Sequence, residues 1–267
     1  MKSESKDFYT LITGAGAGIG NALAVESAKR KRNLILVALP NEKLKEFSQS
    51  LAERYQIKTE FFEVDLSRKE AHLILYDWCQ RNGFKVDTLI NNAGVGMGDY
   101  FESFSHEHYE KMMYLNMISL VSLTRLFLTD MKNFPSASIL NLGSLAGFHP
   151  SPYKSVYAAT KSFVNMFSLA LREELHKTKI RVSLLCPGSV PTNEEVKKRI
   201  PENAYLARIA VLSPERVARV ALDKMDKGKS LIIPGFINKL YFFLGSITPA
   251  GLRTKFLARL FRKYYLT

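Results

Sequence analysis

After Asp226 the chain carries no acidic residue, while Lys227, Lys229, Lys239, Arg253, Lys255, Arg259, Arg262 and Lys263 crowd its end. Those eight account for most of the formal net charge of +13 and leave +5 on everything before them. That is an ordinary balance for a globular domain, so the basicity belongs to the tail and does not argue for a nucleic-acid partner. Cysteine is also scarce. Cys79 and Cys186 stand far apart, with neither metal-ligand nor redox spacing, which excludes a disulfide framework and predicts no metal site. Two unpaired thiols suit a reducing compartment and predict a cytoplasmic protein. The opening MKSESKDFYT lacks the apolar segment of a secretory leader. No run reaches the roughly 20 apolar residues that cross a bilayer.

What is present is a steady alternation of strand and helix patterns. Short apolar runs at Asp7–Ile12, Leu34–Leu39, Phe61–Val64, Thr88–Ile90, Ser138–Leu142 and Arg181–Leu185 read as strands, with a weaker one at Leu231–Ile233. Helical patterns lie between them at Gly18–Lys31, Glu42–Tyr55, Arg68–Arg81, His106–Met131, Lys154–Lys177 and Pro214–Asp226. This order predicts an α/β protein with a single doubly wound, Rossmann-type domain. Its parallel sheet has about seven strands, with helices on both faces and ligands at the strands' carboxyl ends. The domain is expected over residues 1–234, with a basic extension over 235–267.

Several stretches at those carboxyl ends carry chemistry. The first strand runs into Thr13-Gly14-Ala15-Gly16-Ala17-Gly18-Ile19-Gly20 and then a helix. Glycines permit a sharp turn and close approach of a pyrophosphate, and the helix N-terminus adds N–H groups and a positive dipole end. Asp65 and Leu66 end the third strand, where an Asp can reach an adenine or simply cap the next helix. Asn92, Ala93 and Gly94 come after the fourth strand, in a loop suited to a cofactor or to a plain turn. Pro187, Gly188, Val190 and Thr192 leave the sixth. Tyr157 and Lys161 stand four residues apart, so one helix face carries both. An ammonium beside a phenol predicts a lowered tyrosine pKa and a usable proton shuttle. Ser144 at the preceding strand end can donate to an oxygen that gains negative charge. Tyr-x-x-x-Lys by itself also occurs on ordinary amphipathic helices.

The ordered set, T-G-x-x-x-G-I-G, N-N-A-G, Asn116, Ser144, Y-x-x-x-K and P-G-x-V-x-T, resembles the short-chain dehydrogenase/reductase family over about Asp7 to Ile233. The resemblance implies an NAD(P)-dependent oxidoreductase that interconverts a ketone and a secondary alcohol. It implies a catalytic tetrad of Asn116, Ser144, Tyr157 and Lys161. Tyr157 exchanges a proton with the substrate oxygen, Lys161 holds the nicotinamide ribose, Ser144 orients the carbonyl, and Asn116 holds a water in the relay. The cofactor-binding set is then Gly14, Ala17, Gly18, Ile19, Gly20, Asp65, Leu66, Asn92, Ala93, Gly94, Tyr157, Lys161, Pro187, Gly188, Val190 and Thr192. An epimerase or dehydratase, or a nucleotide-binding regulator without catalysis, are the alternatives, and a homo-oligomer is expected.

The second strand ends in Ala38-Leu39-Pro40-Asn41, without the acid that would bind the ribose hydroxyls of NAD. With Arg32, Asn41 and Lys43 in the vicinity, this predicts NADP(H) rather than NAD(H). Met97, Phe148, Tyr153 and Tyr205 are expected around a lipophilic small-molecule carbonyl or alcohol, under a segment over Asn193–Leu212. The tail predicts a helix from Leu252. Leu252, Phe256, Leu257, Leu260, Phe261 and Tyr264 lie on one half, with Lys255, Arg259, Arg262 and Lys263 opposite. Such a helix either packs on the fold or makes peripheral contact with an anionic membrane.

Overall fold

Alternation along each strand decides which helix covers which face. The computed structural model describes residues 8–40, 43–191 and 210–265. Strands β1 (Phe8–Thr13), β2 (Asn33–Ala38), β3 (Thr59–Glu63), β4 (Lys85–Asn91), β5 (Ala137–Leu142), β6 (Ile180–Leu185) and β7 (Leu231–Ile232) form one sheet. Their order is β3-β2-β1-β4-β5-β6-β7 and every pairing is parallel. Ile12, Leu34 and Leu36 face helices α1 (Gly18–Lys29), α2 (Leu44–Tyr55) and α7 (Pro214–Asp226). Their neighbours Leu11, Ile35 and Val37 face α3 (Ala71–Arg81), α5 (Leu120–Met131) and α6 (Ser155–Glu174). A residue period of two thus builds two cores on one sheet. The strand order reverses direction between β1 and β4, the crevice where ligands gather in such sheets.

Differences from the sequence reading are local. β4 runs from Lys85, beyond the Thr88–Ile90 core, because Lys85 and Asp87 interrupt the apolar run while the backbone still pairs with β1. α3 begins at Ala71 because Asp65 and Ser67 form a turn first. The helix over His106–Met131 has three parts: α4 (His106–Met113), a π-helical stretch (Tyr114–Ser119) and α5. By length and composition this rod of 26 residues is apolar enough to cross a bilayer. Met112, Leu123, Phe127 and Met131 are nevertheless buried within the protein. The tail holds two helices, α8 (Phe236–Ile247) and α9 (Ala250–Tyr265), where one was expected.

Candidate active site

The glycine turn depends on close approach. Gly14 and Gly18 both take positive φ, 66° and 55°. A side chain at Gly14 would meet the Ala93 backbone at 2.9 Å, and one at Gly20 would strike the Gly14 carbonyl. Asn92 holds this turn by donating from Nδ2 to the Thr13 and Gly14 carbonyls at 2.9 and 3.0 Å. Thr13 Oγ1 accepts from the Asn92 and Ala93 amides, both at 3.0 Å. α1 starts after Ala17 with no side-chain cap and no acid in its first turn, which leaves its N-terminal amides for a ligand. Asn92 Oδ1 is buried without a partner. A tight cradle, an uncapped helix start and an orphaned acceptor fit a dinucleotide.

Other positions of that set are less committed. Leu66 and Ile19 are buried. Asp65 Oδ1 accepts from the Ser67 amide and hydroxyl at 2.9 and 2.7 Å, closing a turn ahead of α3 rather than capping that helix, which starts after Glu70 without a side-chain cap. Those Ser67 bonds keep the Asp65 carboxyl below its ordinary range, against the opposing effect of burial. Pro187 and Val190 are buried, while Gly188 lies against Asn238 of α8, leaving no room for a side chain. Thr192, Asn41 and Tyr205 lie outside the described residues. One expectation fails plainly. Arg32 precedes β2, at the end remote from Pro40, and donates to Asp226 Oδ1 at 2.5 Å. Lys43, which opens α2 with φ 50°, is the cation that remains near the carboxyl end of β2.

The four tetrad residues converge from three elements. Asn116 lies in the π-helical stretch, Ser144 comes just after β5, and Tyr157 and Lys161 sit one turn apart on α6. A side chain at Gly94 would meet Asn116 Oδ1 at 3.0 Å and Lys161 Nζ at 3.3 Å; one at Gly96 would meet the Tyr157 ring at 2.6 Å. The N-N-A-G loop therefore lies directly against the catalytic side chains. Ser144 Oγ accepts from the Ala146 amide at 3.1 Å, and its hydroxyl is near enough to Tyr157 to draw the phenol's pKa down. Lys161, 5% exposed, donates to the Leu142 carbonyl at 2.7 Å.

Electrostatics here correct the sequence reading. Burial is the largest influence on Tyr157 and pushes the phenol above its ordinary value, with Ser144 pulling the other way. Burial likewise pulls Lys161 down to about 8, so the ammonium is itself strained. The predicted lowering of the tyrosine by its neighbour is not what this arrangement produces. The Asn116 side chain is engaged within the protein. Its Oδ1 accepts from the Val95 amide at 2.9 Å, and its Nδ2 donates to the Val95 carbonyl and to Thr160 Oγ1 at 2.9 and 3.0 Å. The side chain thus clamps the Val95 loop to α6.

Sequence reasoning missed Asn165. It is 1% exposed and stands one turn beyond Lys161, completing a Tyr157–Lys161–Asn165 stripe. Its Nδ2 donates to the Ser144 carbonyl at 3.1 Å, and its Oδ1 accepts from Cys186 Sγ at 3.4 Å. The repeat of four along α6 was the available signal. Met97 and Tyr153 line a cleft at Tyr157, joined by Asp99, Phe104, Tyr109 and Met112. Phe148 instead packs against Phe242 of α8, ring centroids 4.7 Å apart.

A parallel doubly wound sheet with a tight glycine cradle and a Ser–Tyr–Lys cluster beside it defines a Rossmann-type dinucleotide-binding domain. The model of the short chain dehydrogenases matches residues 9–203, and the chain belongs to that family. It is 33% identical to the very-long-chain 3-oxoacyl-CoA reductase of Rattus norvegicus over 191 residues, 69% of this chain and 60% of that one. The chain thus spans less than two thirds of that relative. An NADP-dependent 3-hydroxy acid dehydrogenase of Schizosaccharomyces pombe is 31% identical over 230 residues, 84% of this chain and 88% of that one. A short-chain dehydrogenase from Sphingobium yanoikuyae in complex with NADPH superimposes with TM-score 0.77 at 26% identity, covering 91% and 96% of the two chains. Solved neighbours include complexes with NADPH and with NAD.

Proposed function

We propose that this protein reduces the ketone of a lipophilic substrate, or oxidises the corresponding secondary alcohol, with NADP(H). The observation that carries the reading is the grouping of Ser144 and Lys161 around Tyr157, which opens on a cleft lined by Met97, Phe104, Met112 and Tyr153 beside Asp99 and Lys154. When bound, the dinucleotide supplies or takes up the two electrons and the hydrogen that interconvert carbonyl and alcohol. Tyr157 gives its phenolic proton to the carbonyl oxygen, and Ser144 donates a hydrogen bond to the same oxygen. Lys161, beside Gly94, is placed to hold the ribose, and Asn116 and Asn165 fix the loops that frame the site. The relatives named for 3-oxoacyl and 3-hydroxy acid substrates support an acyl chain bearing oxygen at its third carbon.

NADP(H) is favoured because β2 ends in Ala38 without an acid and Lys43 lies shortly beyond it. The exposed Ile118, Phe163 and Met166 support self-association through the long helices. A cytoplasmic setting is favoured by the unpaired Cys79 and Cys186, and peripheral membrane contact by α9, where Leu252 and Phe256 are exposed beside Lys255 and Arg259. Turnover of NADPH with a panel of 3-oxoacyl thioesters, bulky ketones and sugars tests the reading. Turnover with the first two groups alone is the expected outcome; consumption of sugars alone, or of nothing, overturns it.

A further inference from the structure

The helix α8 is built inside out. Its inner side holds Asn238 and Gly245, both buried, and Phe242 against Phe148. Its outer side carries Phe236, Leu240, Phe243 and Ile247, spaced four, three and four residues apart and 78, 42, 59 and 64% exposed. A surface helix of a water-facing domain turns its polar side outward. Here the outward stripe is apolar and the polar Asn238 is turned in, donating to the Pro234 and Ala210 carbonyls at 2.9 and 3.2 Å. The inward anchoring is specific. Gly245 lies against the His149 ring, Tyr241 stacks edge-on to it at 5.6 Å, and Arg253 of α9 donates to the Gly245 carbonyl.

We infer that the outer stripe of α8 inserts into the headgroup region of an anionic lipid surface and seats the catalytic loop there. The inference rests on the proposed peripheral contact and goes beyond it, since the inserted element is α8 rather than the basic α9. Charge identifies the occupant. Neither helix carries an acidic residue, while Lys239 borders the stripe on α8 and Lys255, Arg259 and Arg262 follow on α9. A second copy docked by two-fold symmetry would set these cations against themselves. An anionic membrane neutralises them and buries the stripe. Insertion would also place the lipid beside the site: Phe148 and His149, which hold α8, stand only a few residues after Ser144. An acyl substrate then enters from the bilayer.

The test is co-sedimentation of the full chain with phosphatidylcholine vesicles, with and without phosphatidylglycerol. The parent is expected to pellet with the anionic vesicles at low salt and far less with the neutral ones. Phe243→Glu with Ile247→Glu should lower the partition coefficient at least tenfold while turnover of a water-soluble ketone is retained. If the parent stays in the supernatant with both vesicles, peripheral contact and the inference fall together. If the glutamate variant pellets like the parent, the inference alone falls and α9 is the anchor. If vesicles are ignored and the variant dissociates an oligomer, a second copy covers the face. Should the glutamates prevent folding, Phe243→Ser with Ile247→Ser gives the same readings.

Discussion

Tyr157 sits where two demands on a phenol oppose one another. Burial keeps it protonated, and the Ser144 hydroxyl steadies the ionised form. Reduction needs the protonated phenol, so its rate should be flat from about pH 6 to 8, whereas alcohol oxidation should climb with pH over the same range. Paired pH–rate profiles check this, and an oxidation rate already level at pH 7 would contradict it. Tyr157→Phe should reduce kcat below a few per cent of the parent, roughly 2 kcal/mol of barrier or more, with NADPH affinity nearly unchanged by fluorescence titration.

Lys161 provides a stability counterpart. Its folded pKa of about 8 lies below the free value of 10.5. Between these values the unfolded chain binds the proton and the folded one does not, so stability rises with pH across that window. At neutral pH the buried ammonium costs on the order of 3 kcal/mol. In Lys161→Met that rise should disappear. Denaturant midpoints of parent and variant at pH 7.5 and 10 measure it, and parallel changes in the two proteins would refute it.

At the scale of elements, the short helical turn over Leu145–Phe148 is clasped between α6 and α8. A side chain at Gly147 would lie 2.6 Å from the backbone carbon and oxygen of Lys161, atoms that cannot swing aside. Gly147→Ala should therefore move Ser144 relative to Tyr157, with kcat falling at least tenfold and stability by about 1–3 kcal/mol. Steady-state kinetics and thermal melts read both quantities. Asn165→Leu removes the tie from α6 to the Ser144 carbonyl, which keeps only the Gly147 amide, and takes away the acceptor of the Cys186 thiol. Its expected signature is a loss in kcat at little change in the KM for NADPH, and a change confined to that KM would remove Asn165 from the positioning residues.

Over the whole molecule, cofactor choice is decided at the far side of the crevice from the chemistry. With Ala38 in place of an acid and Lys43 shortly beyond, kcat/KM should favour NADPH over NADH by at least tenfold, and Lys43→Glu should shrink that ratio. A parent enzyme faster with NADH at equal pH would contradict it. Saturating NADPH should also raise the melting temperature, since it binds the folded state alone.

Repeating patterns are what the chain determined unaided. Alternating strand and helix periods specified the doubly wound sheet, because backbone geometry translates a period of two or 3.6 directly into a buried face. Gly14, Gly20, Ser144, Tyr157 and Lys161 were legible for a related reason: a sharp turn, a strand end or a one-turn spacing is local. Tertiary packing alone decided the rest. Whether Lys161 lowers Tyr157 or is itself lowered depends on desolvation, which no spacing encodes. Arg32 was misplaced because closeness in sequence does not say at which end of β2 a side chain lies. Asn116 became a clamp through Val95 and Thr160, partners 21 and 44 residues away. α8 went unread because aromatic and aliphatic residues occupy both of its sides, so only the packing of Asn238 and Phe242 shows which side faces outward.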